Sequence, residues 1–517
     1  MTSIQFKSIF IVISIIGIYL SLHTGISHDE LHDLLNWQSK KIILNNFFLN
    51  KEIPNFWQDP HYGVGFHLIS LPFELILDNL LNLDKISENG KILILKHPTV
   101  YLFFLLSALC FKKIIYFLTK DKSISYITTL FFLFYPYLLG HSFFNIKDIP
   151  FMSIWLLVTY QTIRIIQKIL KNQELLSTKS IVLLSLSVAF LISIRLSGVL
   201  MFIQLFIFFL FFIHITKIEK NFLKNLVKHF VIFFIFNIFF IYILSPQYWH
   251  NPLFLIDGII FMSNHIQTVC TLTLGTCMKA QNLPASYIFI WMLFKLPLII
   301  LLGVILIPFT EKKIFNNNFN IIIFGSLLLT VITILLILVI MNVNLYDELR
   351  QILFIIPLIL ILSFTSFYFF SKRLTNILTV FFIIFFIFQN LKIYPYNYVW
   401  FNNLNAFIKI NNKFELDYWG LSGKEIANFL NNERLTNECI ITIREDSIKP
   451  FLENKNLNCF KKLNALHQAN ARPFYIALIE RSLDKGLPQN CESIHQSKIS
   501  VNLSNEELIL SKLFKCY

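Results

Sequence analysis

The chain has 517 residues, of which 56% are hydrophobic and only 14% charged, with a mean hydropathy of +0.63. Soluble domains carry about 25% charged residues, so this composition excludes a water-soluble globule and describes a chain living mostly in lipid. The net charge of +14 comes from short Lys/Arg clusters between apolar runs, the pattern of cytoplasmic loops and not of a nucleic-acid footprint.

Apolar runs of about 17–25 residues can cross a hydrocarbon core of roughly 30 Å. Eleven are read in chain order, near 8–26, 97–118, 124–142, 149–167, 180–197, 198–216, 229–245, 287–309, 320–342, 351–370 and 374–392. No small-residue cleavage site follows the first, which is expected to stay as an anchor and not to act as a signal peptide. Basic residues orient the rest. Lys7, Lys112 and Lys113, Lys120 and Lys122, Arg164 with Lys168, Lys171 and Lys179, Lys217 to Lys228, Lys312 and Lys313, and Lys372 with Arg373 fall in alternate loops. The bias puts those loops and the N-terminus in the cytoplasm. The first loop, 27–96, and everything from about 393 are then outside.

Residues 64–83 are apolar too, but they carry His67, Pro72, Glu74 and Asp78. A carboxylate inside a span costs roughly 2.5–3.5 kcal/mol, so this stretch is expected to lie in the interface as a helix. Counting it as a span would also invert every later loop.

The tail opens with YPYNYVWFNN, an aromatic belt expected at the headgroups. ECIITIR and PFYIALIE read as strands and GKEIANFLNN as a short helix. The expected architecture is a polytopic α-helical membrane protein of about 11 transmembrane helices. It spans residues 1–392 and carries a small extracytoplasmic α/β domain over 393–517. Cys270, Cys277, Cys439, Cys459, Cys491 and Cys516 all fall outside, and an even number there is compatible with disulfides. Cys270–Cys277 is the most plausible pair, with unpaired thiols as the alternative.

Four polar clusters land on this outer face, although none was used to orient the chain. HDELHDLLNW follows the first span. Asp29 and Glu30 would point about 100° apart on a helix, so only one faces a given reacting atom. His28, His32 and Asp33 stand close by. A carboxylate at the mouth of a membrane cavity can act as general base toward a hydroxyl, and partial burial would raise its pKa. The bland alternative is a helix N-terminus complemented by acids. In HSFFNIKDIP, Lys147 offers a point charge for phosphate and Asp148 a second carboxylate; otherwise this is a solvated turn capped by Asp148. Arg195, between two spans joined by almost no loop, needs a carboxylate or a phosphate partner unless it snorkels to the headgroups. NLYDELRQ puts Tyr346, Asp347 and Arg350 at the start of the tenth span.

These blocks resemble the GT-C glycosyltransferases, specifically the bacterial branch similar to family 39, the dolichyl-phosphate-mannose protein mannosyltransferases. HDELHDLLNW resembles the acidic motif of that family's first external loop. GHSFFNIKDIPF resembles a GHSFFNPKDIPF-type segment, with Ile146 where Pro is usual. SIRLSG, SPQYWHNP, LYDELRQ, YPYNYVWFNN and FELDYWGLSGKE resemble other recurring blocks. The resemblance implies a polyprenyl-phosphate sugar donor, a lipid, glycan or protein acceptor, and inversion at the anomeric carbon. It implies Asp29 as the catalytic base, with Glu30 orienting it or sharing the role, and Asp148 as the second acidic position. His141, Asn145 and Lys147 would line the donor phosphate, with Arg195, Arg350 and Tyr346 beside the leaving group. A lipid phosphate leaves readily, so no nucleotide or metal is expected to be required, although Asp29 with Asp148 could bind a divalent ion. The bacterial inner membrane is the expected location, with the tail in the periplasm. A lipid or polysaccharide flippase, and a surface-polysaccharide polymerase or ligase, are the competing readings.

Overall fold

The computed structural model describes residues 1–49, 51, 61–172, 177–216, 220–249, 251–263, 269–433, 439–453, 460–461, 474–479, 490–501 and 506–517. Lys217 and Cys459 lie outside them. In chain order the helices are α1 (Ser3–Leu22), α2 (His28–Phe48), α3 (Gly65–Leu80), α4 (Glu88–Thr119), α5 (Lys122–Phe134), α6 (Pro136–Ser142), α7 (Asp148–Asn172), α8 (Thr178–Ile194), α9 (Met201–Thr216), α10 (Lys220–Leu244), α11 (Phe254–Ser263), α12 (Ser286–Lys295), α13 (Leu298–Ile305), α14 (Ile307–Ile314), α15 (Asn318–Ile340), α16 (Ile356–Phe370), α17 (Lys372–Ile393) and α18 (Gly423–Asn432).

Among the described residues, eight helices are long and apolar enough to cross a membrane, and nine if α5 and α6 count as one span bent by 63°. The bend falls at Tyr135–Pro136, where proline disfavours helical backbone at the residue before it. The other two expected spans are the 17-residue α8 and the pair α12–α13, broken at Pro297. Each of the eleven runs is therefore helical; α5–α6 and α12–α13 are interrupted at a proline, and α8 is short. α3 is too short to cross. It buries Phe66, His67, Ser70 and Glu74 and exposes Ile69, Phe73, Leu75 and Ile76. Its carboxylates find partners on α4: Glu74 meets Lys96, and Asp78 lies 2.5 Å from Lys91.

The tail forms a five-stranded sheet from β3 (Cys439–Thr442), β4 (Phe460–Lys461), β5 (Phe474–Ile479), β6 (Cys491–Ser500) and β7 (Glu507–Cys516), after a hairpin, β1 (Cys270–Thr273) and β2 (Thr276–Lys279), placed before α12. Sheet order is β4-β3-β5-β7-β6, with β3 parallel to β4 and β5 and the remaining pairs antiparallel. Both expected strands and the expected helix are present. Cys270–Cys277 is bonded across the hairpin, Cys491–Cys516 joins β6 to β7, Cys439 is also in a disulfide, and Cys110 is free.

The aromatic run after α17 does not line the headgroups. Tyr398, Val399, Trp400 and Phe401 are buried in the main core of the bundle, because bulky rings gain more from close packing than from a half-wet surface. The sheet packs back as well. Ile426, Ile440, Tyr475 and Leu513 share one core with Ile26, just ahead of α2, with Leu34 and Trp37 of α2 and with Leu93 and Ile94 of α4. The tail thus closes over the same end of the bundle that carries the acidic helix.

Candidate active site

The start of α2 separates its two acids. Glu30 reaches back to accept from the Ser27 amide at 2.6 Å, as expected of a capping box. Its other oxygen lies 2.7 Å from His97 Nε2, and the pair is almost fully buried. One residue earlier on the helical spiral, Asp29 points elsewhere, with Oδ2 2.5 Å from Arg350 Nη1. Although it lies in this pair, Asp29 keeps 46% of its side chain accessible. Burial alone would raise its pKa, as the sequence reading expected. The Arg350 guanidinium overrides that and holds the carboxyl well below the usual carboxylate range.

Arg350 is delivered by a turn ahead of α16. Its Nη2 lies 2.9 Å from Asp347, and its guanidinium sits 4.8 Å from the Tyr346 ring and 4.5 Å from the Trp419 ring. Nε is buried without a hydrogen-bond partner among the described residues. Asp347 and Glu348 both take left-handed backbone, with φ of 57° and 64°, a conformation that costs non-glycine residues about 1–3 kcal/mol each. Glu348 turns inward to Lys295, the last residue of α12, at 2.8 Å, and neither side chain is exposed. Burial pushes the Glu348 carboxyl up to about 7 against the pull of Lys295.

The 141–148 segment adds the second half. Asn145 Oδ1 accepts from the amides of Lys147 and Asp148, at 3.2 and 2.8 Å, so Asn145 and not Asp148 caps α7. That leaves the Asp148 carboxylate for Arg195, which it meets directly, and for Asn145 Nδ2 at 3.0 Å. Asn145 Nδ2 also lies 3.2 Å from His141 Nδ1, and His141 Nε2 is 3.4 Å from the Tyr418 hydroxyl. Lys147 reaches Asp33, one turn along α2 from Asp29, at 2.8 Å, and its ammonium lies 4.0 Å from the centre of the Tyr62 ring.

Tyr418 and Trp419 come from the tail. The Trp419 carbonyl accepts from the His28 amide at 3.0 Å, and a side chain at Gly25 would collide with the Leu421 carbonyl, so only glycine lets the two segments approach this closely. Tyr398 donates to Asp417, which also accepts the Leu421 and Ser422 amides at 3.0 and 2.9 Å.

No family model matches the sequence, and no curated protein matches it. Among solved structures, ArnT from Cupriavidus metallidurans in the apo state aligns over 99% of this chain and 98% of its own length, with a TM-score of 0.52 and 10% identity. The chain shares the fold of ArnT. The archaeal oligosaccharyltransferase AglB from Archaeoglobus fulgidus, in complex with an inhibitory peptide and a dolichol-phosphate, gives a TM-score of 0.44 at 10% identity. The alignment covers 91% of this chain and 69% of AglB, a likeness too distant to carry an argument. At 10% identity a shared fold assigns no residue its role, so the roles rest on the local chemistry.

All nine residues singled out from the sequence lie in or directly against this one network. Three ion pairs across 321, 114 and 47 residues of chain draw them together. Within it the residues differ. Asp29, Lys147 and Arg195 are partly accessible, Asp148 and Arg350 nearly buried, and Glu30, His141 and Asn145 sealed. Among the described residues no three His, Cys, Asp or Glu gather as metal ligands, and Asp29 and Asp148 each already face a guanidinium. Lys295, Glu348, Trp419 and His97 escaped the sequence reading. Lys295 carried a usable signal, since a lone lysine in the apolar run WMLFKLPLII is expensive in lipid and marks a site.

Proposed function

We propose that this chain transfers a glycosyl group from a polyprenyl-phosphate-linked donor to a hydroxyl acceptor, with inversion, at the outer face of the membrane. One observation supports the reading above all: an accessible carboxylate, Asp29, stands against Arg350, with Lys147 paired to Asp33 one helical turn away and Arg195 paired to Asp148. Each cation rests on a carboxylate that an incoming phosphate can replace. The acceptor oxygen attacks the anomeric carbon from the face opposite the phosphate. Its proton passes to Asp29 as the new C–O bond forms. The old C–O bond breaks with its electron pair leaving on the polyprenyl phosphate, whose growing charge the cations stabilise. The transition state is oxocarbenium-like.

Arg350 links the two halves of the reaction. While it holds Asp29, the carboxylate is a weak base. When the donor phosphate draws the guanidinium away, burial acts unopposed and the basicity of Asp29 rises where the acceptor stands. Asp148 and Asn145 hold Arg195 and the turn bearing Lys147, and Glu30 fixes the helix start that aims Asp29. The enzyme class is the hexosyltransferase, mannosyltransferase-like one named by the family that the sequence resembles. The site faces the periplasm of a bacterial inner membrane, in keeping with the lysine clusters of the alternate loops.

The test incubates purified protein with a panel of radiolabelled polyprenyl-phosphate sugars and follows donor turnover. At least one donor is expected to turn over, and Asp29→Asn to lose about 10²–10⁴-fold. Full activity in Asp29→Asn removes Asp29 as the base, and no turnover of any donor removes the reaction.

A further inference from the structure

Beside the turn that bears Arg350 lies a second ionic centre that takes no part in the proposed reaction. Lys295 and Glu348 are both sealed from solvent. The ammonium is boxed by the rings of Phe401, Tyr137 and Trp291 at 4.0, 5.1 and 5.5 Å, and lies 3.4 Å from the Tyr398 and Val399 carbonyls. Burying such a pair brings little net stability, because desolvation offsets the attraction. Its presence therefore calls for another reason.

The reason lies in the backbone it grips. Asp347 and Glu348 are consecutive left-handed residues, neither of them glycine, and such backbone persists only where the surroundings over-determine it. Three anchors do so. The Asp347 amide donates to Thr271 Oγ1 at 3.1 Å, the Glu348 amide to the Tyr287 hydroxyl at 3.1 Å, and the Glu348 carboxylate meets Lys295. Thr271 belongs to the disulfide-closed hairpin, and Tyr287 and Lys295 to α12. The end of α12 is itself fixed: Asn402 Nδ2 donates to the Leu293 and Leu296 carbonyls at 2.6 and 2.7 Å, and Tyr135 to the Lys295 carbonyl at 2.6 Å. With the turn held this way, Asp347 and Glu348 diverge, one inward to Lys295 and one outward to Arg350.

We infer that Lys295 and Glu348 are positioning residues: their buried pair, with Thr271 and Tyr287, clamps the left-handed turn that presents Arg350 between Trp419 and Asp29. Its consequence for donor binding rests on the glycosyl-transfer reading above; the placement of Arg350 does not.

The experiment labels the seven tryptophans of the full-length protein with 5-fluorotryptophan and assigns Trp419 by Trp419→Phe. The ¹⁹F signal of Trp419 then reports whether the guanidinium still stacks on its ring, with Arg350→Lys as the displaced reference. Three variants are compared: Thr271→Val, Tyr287→Phe, and the double variant Lys295→Met with Glu348→Gln, which removes both buried charges together. The double variant is expected to melt close to the wild type while its Trp419 signal moves toward that of Arg350→Lys. Where a donor is turned over, its kcat/KM falls about tenfold. The two single variants shift the signal in the same direction by less. A Trp419 signal at the wild-type position in all variants that fold overturns the inference; should the double variant fail to fold, the two single variants decide on the same criterion. A moved signal in a protein that turns over no donor keeps the clamp and removes the glycosyl-transfer reading.

Discussion

Two ionic regions meet at the turn bearing Asp347, Glu348 and Arg350 and differ in one respect, access to water. In the first, Asp29 keeps 46% of its side chain open and Lys147 and Arg195 about a quarter of theirs; in the second, Lys295 and Glu348 expose nothing. An open ion pair can trade one partner for a substrate phosphate at small cost, because water and neighbouring charges cover the change. A sealed pair cannot trade at all, since a stranded charge has nowhere to go. The open pairs are suited to chemistry and the sealed one to geometry.

The sharpest way to break this contrast is to strand a charge on the dry side. Lys295→Met leaves Glu348 uncompensated and is expected to destabilise the protein by about 3–5 kcal/mol at pH 8, read as a large fall in melting temperature. The loss should shrink at pH 6, where Glu348 takes up a proton.

Next in size is the pH dependence of the wild type. A buried carboxyl raised from 4.5 to about 7 stays protonated in the folded state while the unfolded chain releases its proton. Its contribution to stability is fully present below about pH 4.5 and is lost as pH rises through 7, by up to about 3 kcal/mol. Glu348→Gln should remove that component, so the difference between the two melting curves across pH 4–8 is the measurement.

On the open side, Arg350→Gln should raise the donor KM about 10- to 100-fold. It should also move the acid limb of the kcat/KM profile. That limb reports the free protein and lies below the ordinary carboxylate range while Arg350 holds Asp29. Without Arg350, burial raises it. An acid limb that stays put in the variant would separate Asp29 from proton transfer. The smallest effect belongs to Lys91→Gln, which breaks the partly exposed pair with Asp78 and should leave melting temperature and turnover at wild-type values.

Much of the site was legible because membrane chains punish misplaced charge. HDELH, NIKD, SIR and YDELR stand out against apolar neighbours, and helical geometry separates Asp29 from Glu30 without any structure. What stayed hidden was pairing and exposure. Asp148 read as a second carboxylate with a helix cap as the alternative; Asn145 takes the capping task and leaves the carboxylate to Arg195. Asp29 read as a base with a raised pKa, until a guanidinium 321 residues away reversed the sign. YPYNYVWFNN read as a surface belt, yet its rings fill the core.

Hydropathy, loop charge and local capping by themselves determined where the helices run, which residues carry charge at their ends, and the strands and helix of the tail. These are properties of short segments, and a short segment carries its own solvent preference and its own backbone periodicity. Only the tertiary structure decided which acid meets which base, which pairs stay wet, and how two left-handed residues come to aim Arg350. Ion pairing and desolvation depend on distances across the bundle, and no segment holds those distances alone.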